Sequence, residues 1–198
     1  MSRLWPERLT LALEPRPPEE PQPWQGALEE LGRRLAALRG RADVTVVLSN
    51  HFVRYAVLPD RGGAASADEE LALARFHLAK IHGDRAKVWE VRVSDGLACA
   101  IDAALLEALK ACFKAAGKAR LVSVQPYLMA AYNRARNRIP REGAWLVLAE
   151  SGRTCLARLA ARGWAWVHNS RETDAEALLE RERNRASGEP LPSTVLKL

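Results

Sequence analysis

The chain has 198 residues, 48% of them hydrophobic and 27% charged, which supplies a substantial core and excludes a disordered protein. Its longest apolar runs are about six or seven residues against the roughly twenty that span a bilayer, and Met1 to Glu7 carries no apolar signal region, so a cytoplasmic chain with no transmembrane segment is expected. A formal charge of +6 makes attraction to nucleic acid or anionic lipid available, although an Arg-, Ala- and Leu-rich composition is also what a GC-rich genome encodes.

In chain order, Leu9 to Leu13 reads as a short strand, and residues 14 to 23 hold five prolines in ten positions, which forbids helix and central strand alike. A helix begins near Trp24, with Leu28, Leu31, Leu35 and Leu38 at spacings of three and four. Val44 to Leu48 and Phe52 to Leu58 flank Ser49-Asn50-His51 and read as an antiparallel strand pair stopped by Pro59. After Gly62-Gly63, Ser66 with Glu69 forms a capping box for a helix whose Leu71, Ala74, Leu78 and Ile81 share a face.

Alternation from Lys87 to Ser94, the Asp95-Gly96 turn and Leu97 to Ile101 predict a hairpin. Asp102 caps a helix with a stripe of Leu105, Leu109, Cys112 and Ala116, ending at Gly117. Ala119 to Val124 is a strand, and Pro126 suits the first turn of a helix over Tyr127 to Arg136. Strands follow at 144 to 149, 154 to 160 and 164 to 168, then a helix from Thr173 to about Ala186. The expected division is 1–43 (strand, proline-rich connector, helix), 44–143 (mixed α/β subdomain), 144–186 (small second sheet plus helix) and 187–198 (mobile tail).

No motif for a known chemistry is complete. Gly62-Gly63 is followed by Ala-Ala-Ser with no Lys, so it is not a phosphate loop. His77 and His82 are five apart on a helix, about 140° around the axis, where zinc ligation wants three or four. Ser49 near His51, and Ser151 near Thr154, lack a nucleophile elbow and an orienting acid. Cys99, Cys112 and Cys155 are few and set in apolar runs, so they read as reduced core residues.

Two surfaces remain as partner-binding candidates. Arg134, Arg136, Arg138 and Arg141 put four arginines in eight residues with no acid among them, either a solvated helix end or a contact for an anionic partner. Trp164 and Trp166 alternate along a strand, which places both indoles on one face as core packing or as a contact platform.

From Val44 to about residue 186 the order of elements resembles the actin-like cytoplasmic proteins of type IV pilus assembly and type II secretion, the PilM and GspL type. The phrases that carry it are Val53-Arg54-Tyr55-Ala56-Val57-Leu58-Pro59, Asp68-Glu69-Glu70-Leu71-Ala72-Leu73-Ala74 and Val122-Ser123-Val124-Gln125-Pro126, with Leu58-Pro59 and Gln125-Pro126 the sharpest. The resemblance implies a mixed α/β, abbreviated actin-like ATPase fold of the RNase H-like class, with a ferredoxin-like βαββαβ-type subdomain.

Members with ATPase architecture open each half with an Asp-Ile-Gly-like phosphate turn. Here Leu9 to Pro15 runs into the proline connector. The second turn retains Glu150, Ser151, Gly152 and Thr154 without the strand-end Asp, a degenerate cofactor site. The expectation is a protein that is not an enzyme and has no cofactor and no metal. It would act as a scaffold for protein partners, inner-membrane pilus or secretion components, at the cytoplasmic face of such a platform. Two other readings stay open: a binder of nucleic acid, non-specific in sequence, or of anionic surfaces through the arginine cluster, and a degenerate ATP-binding protein.

Overall fold

The computed structural model describes residues 6–16, 23–59, 66–186 and 191–198. The centre of the proline connector, the Gly62-Gly63 step and the start of the expected tail lie outside the described residues. The chain divides into two compact units, each discontinuous in sequence: Met1–Val53 with Ile101–Ala130, and Arg54–Ala100 with Ala131–Leu198.

The first unit is built on a parallel sheet of order β1-β2-β6, formed by Glu7–Leu13, Ala42–Leu48 and Ala119–Pro126. β2 lies between two parallel partners, and Val44, Val46 and Leu48 along it are fully buried. Helices α1 (Gln25–Ala36) and α3 (Ala103–Ala116) cover this sheet and touch each other. Along α1 the buried residues are Ala27, Leu31 and Leu35; Leu38 falls past the helix end, its N–H reaching the Leu35 carbonyl at 3.2 Å.

The α3 stripe runs through Leu105, Leu109 and Phe113, so the exact i,i+4 series wins and Cys112 and Ala116 sit at its margin. Gly117 ends the helix in the left-handed conformation at φ 65°, the role its position suggested. Pro126 is the last residue of β6, opposite Leu48, and α4 (Tyr127–Ala135) starts after it. An edge strand tolerates proline because no ladder donor is needed on the open side.

The expected antiparallel pairing of 44–48 with 52–58 does not form. Both edges of β2 are already taken by β1 and β6, and Val53–Val57 becomes β3 of a different sheet. Ser49-Asn50-His51 is a compact joint: Ser49 N–H donates to the Leu13 carbonyl and the His51 N–H to the Ser49 hydroxyl.

The second unit holds two sheets. One has order β3-β5-β4, with β4 at Trp89–Ser94 and β5 at Leu97–Asp102, the hairpin turning at Asp95 (φ 50°) and Gly96 (φ 76°). Helix α2 (Ala67–His82) covers it through Ala74 and Leu78, and its Ser66–Glu69 capping box is formed in both directions. Ile81, expected on the same face, is 64% exposed; the last turn packs instead through His82, edge-on to Trp89 at 5.0 Å. β3, α2, β4 and β5 thus give the βαββ portion of the expected subdomain, while α3 and β6, which follow in sequence, complete the parallel sheet beside β2.

The other sheet of the second unit has order β10-β7-β8-β9: β7 Gly143–Glu150, β8 Arg153–Ala160 and β9 Gly163–Ser170 form an antiparallel meander. β10, Val195–Lys197, lies parallel to β7, so part of the segment expected as a mobile tail is a strand. Helix α5 (Ala175–Arg185) is capped by Asp174, which accepts from the Glu176 and Ala177 N–H groups, and it packs Leu178 on Val147 and Leu156.

Two glycines give opposite expectations. A Cβ on Gly32, inside α1, would meet the Cys112 sulfur at an ordinary 3.5 Å, so Gly32→Ala should raise stability by roughly 0.5–1 kcal/mol. Gly143 has φ 104°, and a Cβ there would overlap the Leu159 carbonyl, so Gly143→Ala should lower it by more than about 2 kcal/mol. Urea melts of the two variants against the parent should move in opposite directions.

Candidate functional site

The β7–β8 connection is a two-residue turn, Ser151-Gly152, closed by the Glu150–Arg153 pair and made possible by φ 71° at Gly152. It is tight, and its glycine has the role the sequence suggested. What the sequence did not show is where the next residue goes. Arg153, the first residue of β8, is only 9% exposed.

Register explains its surroundings. Glu150 faces Arg153 across β7–β8, and Cys155, two residues on, faces Leu148 on one side and Asn169 on the other, so these five side chains share one face of the sheet. The Arg153 Nη1 donates to Asn169 Oδ1 at 3.1 Å. Its Nε has no hydrogen-bond partner.

Arg171, just beyond the end of β9, and Arg54 of β3 act electrostatically on the same guanidinium. Burial first, then repulsion from Arg54 and Arg171, pull the Arg153 pKa down, with Glu150 opposing. Arg54 is lowered in the same way, by burial and then by Arg171 and Arg85. His82 is lowered by burial and by Arg54. Arg54, Arg153 and Arg171 thus act on one another electrostatically, with Glu150 acting on Arg153 in the opposite sense.

The residues singled out from sequence are dispersed. Arg134, Arg136, Arg138 and Arg141 are all exposed, and among the described residues none forms an ion pair. The α-helix stops at Ala135 and Arg136–Arg138 is a 3-10 turn, so Arg134 and Arg138 are not one α-helical turn apart. Pro140 accounts for the stop.

Trp164 and Trp166 do not share a face. A register shift at Arg158/Leu159 sets Trp164 opposite Leu159 and Trp166 opposite Arg158, and neighbouring residues of β8 point to opposite sides. Trp164 is 9% exposed and packs on Tyr132 at 4.9 Å; Trp166 meets Trp145 at 6.1 Å and stacks on His168 at 5.6 Å. Ser151 lies exposed in its turn, and Thr154 is wholly buried with its hydroxyl oxygen lacking a partner. His77 and His82 engage Phe76 and Trp89 respectively, and among the described residues no cluster of His, Cys, Asp or Glu could hold a metal ion.

Among the described residues, no helix is long and apolar enough to cross a membrane. No family model matches the chain, and no curated protein matches it. Solved structures do. The cytoplasmic domain of EpsL, an inner membrane component of the type II secretion system of Vibrio cholerae, is similar at 17% identity and TM-score 0.52, over 87% of this chain and 67% of that one. The PilM-PilN type IV pilus biogenesis complex is similar at 17% identity and TM-score 0.50, over 82% of this chain and 52% of that one. A Bacteroides thetaiotaomicron protein of unknown function with an actin-like ATPase fold is similar at 8% identity and TM-score 0.51, over 82% of this chain and 62% of that one. The chain thus spans between about half and two thirds of the length of these structures, and the fold is actin-like, as the resemblance implied.

The cysteines give a direct check on this geometry. Burial pushes the Cys99 thiol up to about 12 and the Cys155 thiol up as well, while Cys112 is only half-buried. Alkylation of the native chain at pH 8, read by mass spectrometry, should modify Cys112 well before Cys99 and Cys155, which should react only on unfolding.

Proposed function

We propose that this chain is a non-catalytic adaptor that binds protein partners, inner-membrane components of a pilus or secretion platform, at its cytoplasmic face. The observation that carries this reading is the β7–β8 turn. In an actin-like fold this turn would address phosphate, but its strand ends in Ala149-Glu150, with no Asp to organise a metal. Support also comes from what two fold neighbours are: a domain of a secretion-system membrane component and a pilus biogenesis complex.

The contact surface we propose comprises Arg134, Arg136, Arg138 and Arg141, following α4, whose Tyr132 packs on Trp164; Trp166, on the other side of β9, is not part of it. Four exposed arginines with no acid between them repel one another weakly through solvent, so stability gives little reason for them; an acidic partner surface would give one. Replacing Arg134, Arg138 and Arg141 with Ser should leave Tm within a few degrees and weaken co-purification of an inner-membrane pilus or secretion component, most strongly at moderate salt. Unchanged recovery moves the contact elsewhere, and an unfolded variant makes the arginines structural.

Nucleotide independence has its own test. Saturation at a hundredfold excess over Kd would add about 2.7 kcal/mol of stability. Magnesium ATP and inorganic triphosphate at equal concentration should shift Tm equally; a rise specific to ATP would establish an adenosine site and restore the ATP-binding reading.

A further inference from the structure

We propose that the outer face of α2 is a self-association surface on which a second copy of this chain docks as an antiparallel helix, with Glu69, Leu73, Phe76 and Lys80 as its contact residues. The inference does not rest on the adaptor reading, and it uses none of the arginines between 134 and 141.

The first observation is that α2 is apolar on two sides. Its inner side is settled: Ala74 and Leu78 are fully buried on the β3-β5-β4 sheet, with Leu71 packed beside them. A helix that covers a sheet with one side is expected to be polar on the other. At about 100° per residue, Phe76 points directly away from the Ala74 and Leu78 side. It is 64% exposed, edge-on to the His77 ring at 5.9 Å. Exposed Ala72 and half-buried Leu73 lie one turn before it on the same side. A phenylalanine left in water in the middle of a 16-residue helix forfeits the burial of a large side chain, and a docked partner recovers it.

The second observation is the order of charge and apolarity along that side. Glu69, Leu73, Phe76 and Lys80 follow one another at steps of four, three and four, the spacing that keeps side chains in one seam. They read acid, apolar, apolar, base. Two such helices laid antiparallel about a two-fold axis between Ala74 and Arg75 put Glu69 opposite Lys80 of the second copy, and Leu73 opposite Phe76 of the second copy, twice over. In a parallel pair Glu69 meets Glu69 and Lys80 meets Lys80. The face is complementary to itself in one orientation only, which is what a two-fold contact requires.

The wider charges agree. The first turn of α2 carries Asp68, Glu69 and Glu70, and its last turn Lys80 and His82. The helix macrodipole accounts for that gradient, but not for an exposed aromatic ring between its ends. Lys80 forms no ion pair among the described residues, while Glu69 is held in place by accepting the Ser66 N–H at 2.8 Å. A uniformly acidic or uniformly basic partner would match one end of this face and oppose the other.

The experiment is sedimentation equilibrium of the full chain between about 5 and about 500 µM, where an interface of this small size dissociates. The parent should pass from monomer to dimer across that range, with no higher species, because a two-fold contact closes on itself. Phe76→Glu should raise the dimer Kd about tenfold or more, and leave Tm within a few degrees because Phe76 is exposed. Lys80→Glu and Glu69→Lys should each weaken the homodimer roughly threefold or more. An equimolar mixture of those two variants should regain the parental affinity as a heterodimer, since every Lys then faces a Glu again. Glu69→Lys also gives up half of its capping box, so affinity and not Tm is the readout for that pair.

A parent that stays monomeric at the highest concentration, a dimer of unchanged affinity in Phe76→Glu, or charge variants whose mixture gains nothing over either alone overturns the proposal. The first of these results leaves Phe76 to a partner other than this chain. Should Phe76→Glu fail to fold, the mixture of the two charge variants decides by itself.

Discussion

The second unit depends on the burial of β8. From Arg153 to Ala157 every residue is buried, and Cys155, Leu156 and Ala157 have no exposure at all, because the strand is paired along both edges and covered on both faces. A strand so placed cannot keep its polar residues in water. The register that brings Leu156 onto Val147 and Leu178 under α5 also carries Arg153 into the opposite face. Because side chains alternate with period two, no one-residue slip could free Arg153 without burying its neighbours' polar atoms in exchange. The burial of Arg153 is therefore a consequence of how β8 is packed.

That packing also separates what the sequence disclosed from what it withheld. Local chemistry was legible: the Ser66–Glu69 capping box, the Asp95-Gly96 turn, the Asp102 cap and the Gly117 stop each depend on residues within a few positions of one another. Pairing across the chain was less so. Val44 to Leu48 and Val53 to Val57 both read as strands, but nothing in either states that β2 has no edge left for its sequence neighbour. The resemblance gave the actin-like architecture, which periodicity alone did not supply.

The candidate site shows the same boundary more sharply. Arg134, Arg136, Arg138 and Arg141 drew attention because they are adjacent in sequence, whereas Arg54, Arg153 and Arg171 are scattered and individually ordinary. Arg54 lies between Val53 and Tyr55 in a strand whose other members are apolar. A charge in such a setting asks what compensates it. The bulge that sends Trp164 and Trp166 to opposite sides was invisible for a related reason: strict alternation is the default, and a two-residue spacing reads as one face until a pairing partner shifts.

The interleaving of the two units bears on the order in which the chain can be completed during synthesis. β1 and β2 emerge from the ribosome together, but β6, the other neighbour of β2, begins only at Ala119, after the whole of the β3-β5-β4 sheet. Closing so long an excursion adds only slowly to the entropic cost, so the finished sheet is little penalised. The nascent chain is a different matter. At the roughly 5–20 residues per second of translation, the apolar strand Ala42–Leu48 spends several seconds with one hydrogen-bonding edge unfilled. An unpaired edge of that kind templates other strands. Chains arrested or cleaved between Leu48 and Ala119 would carry that open edge permanently and would be the ones most exposed to pairing with other strands.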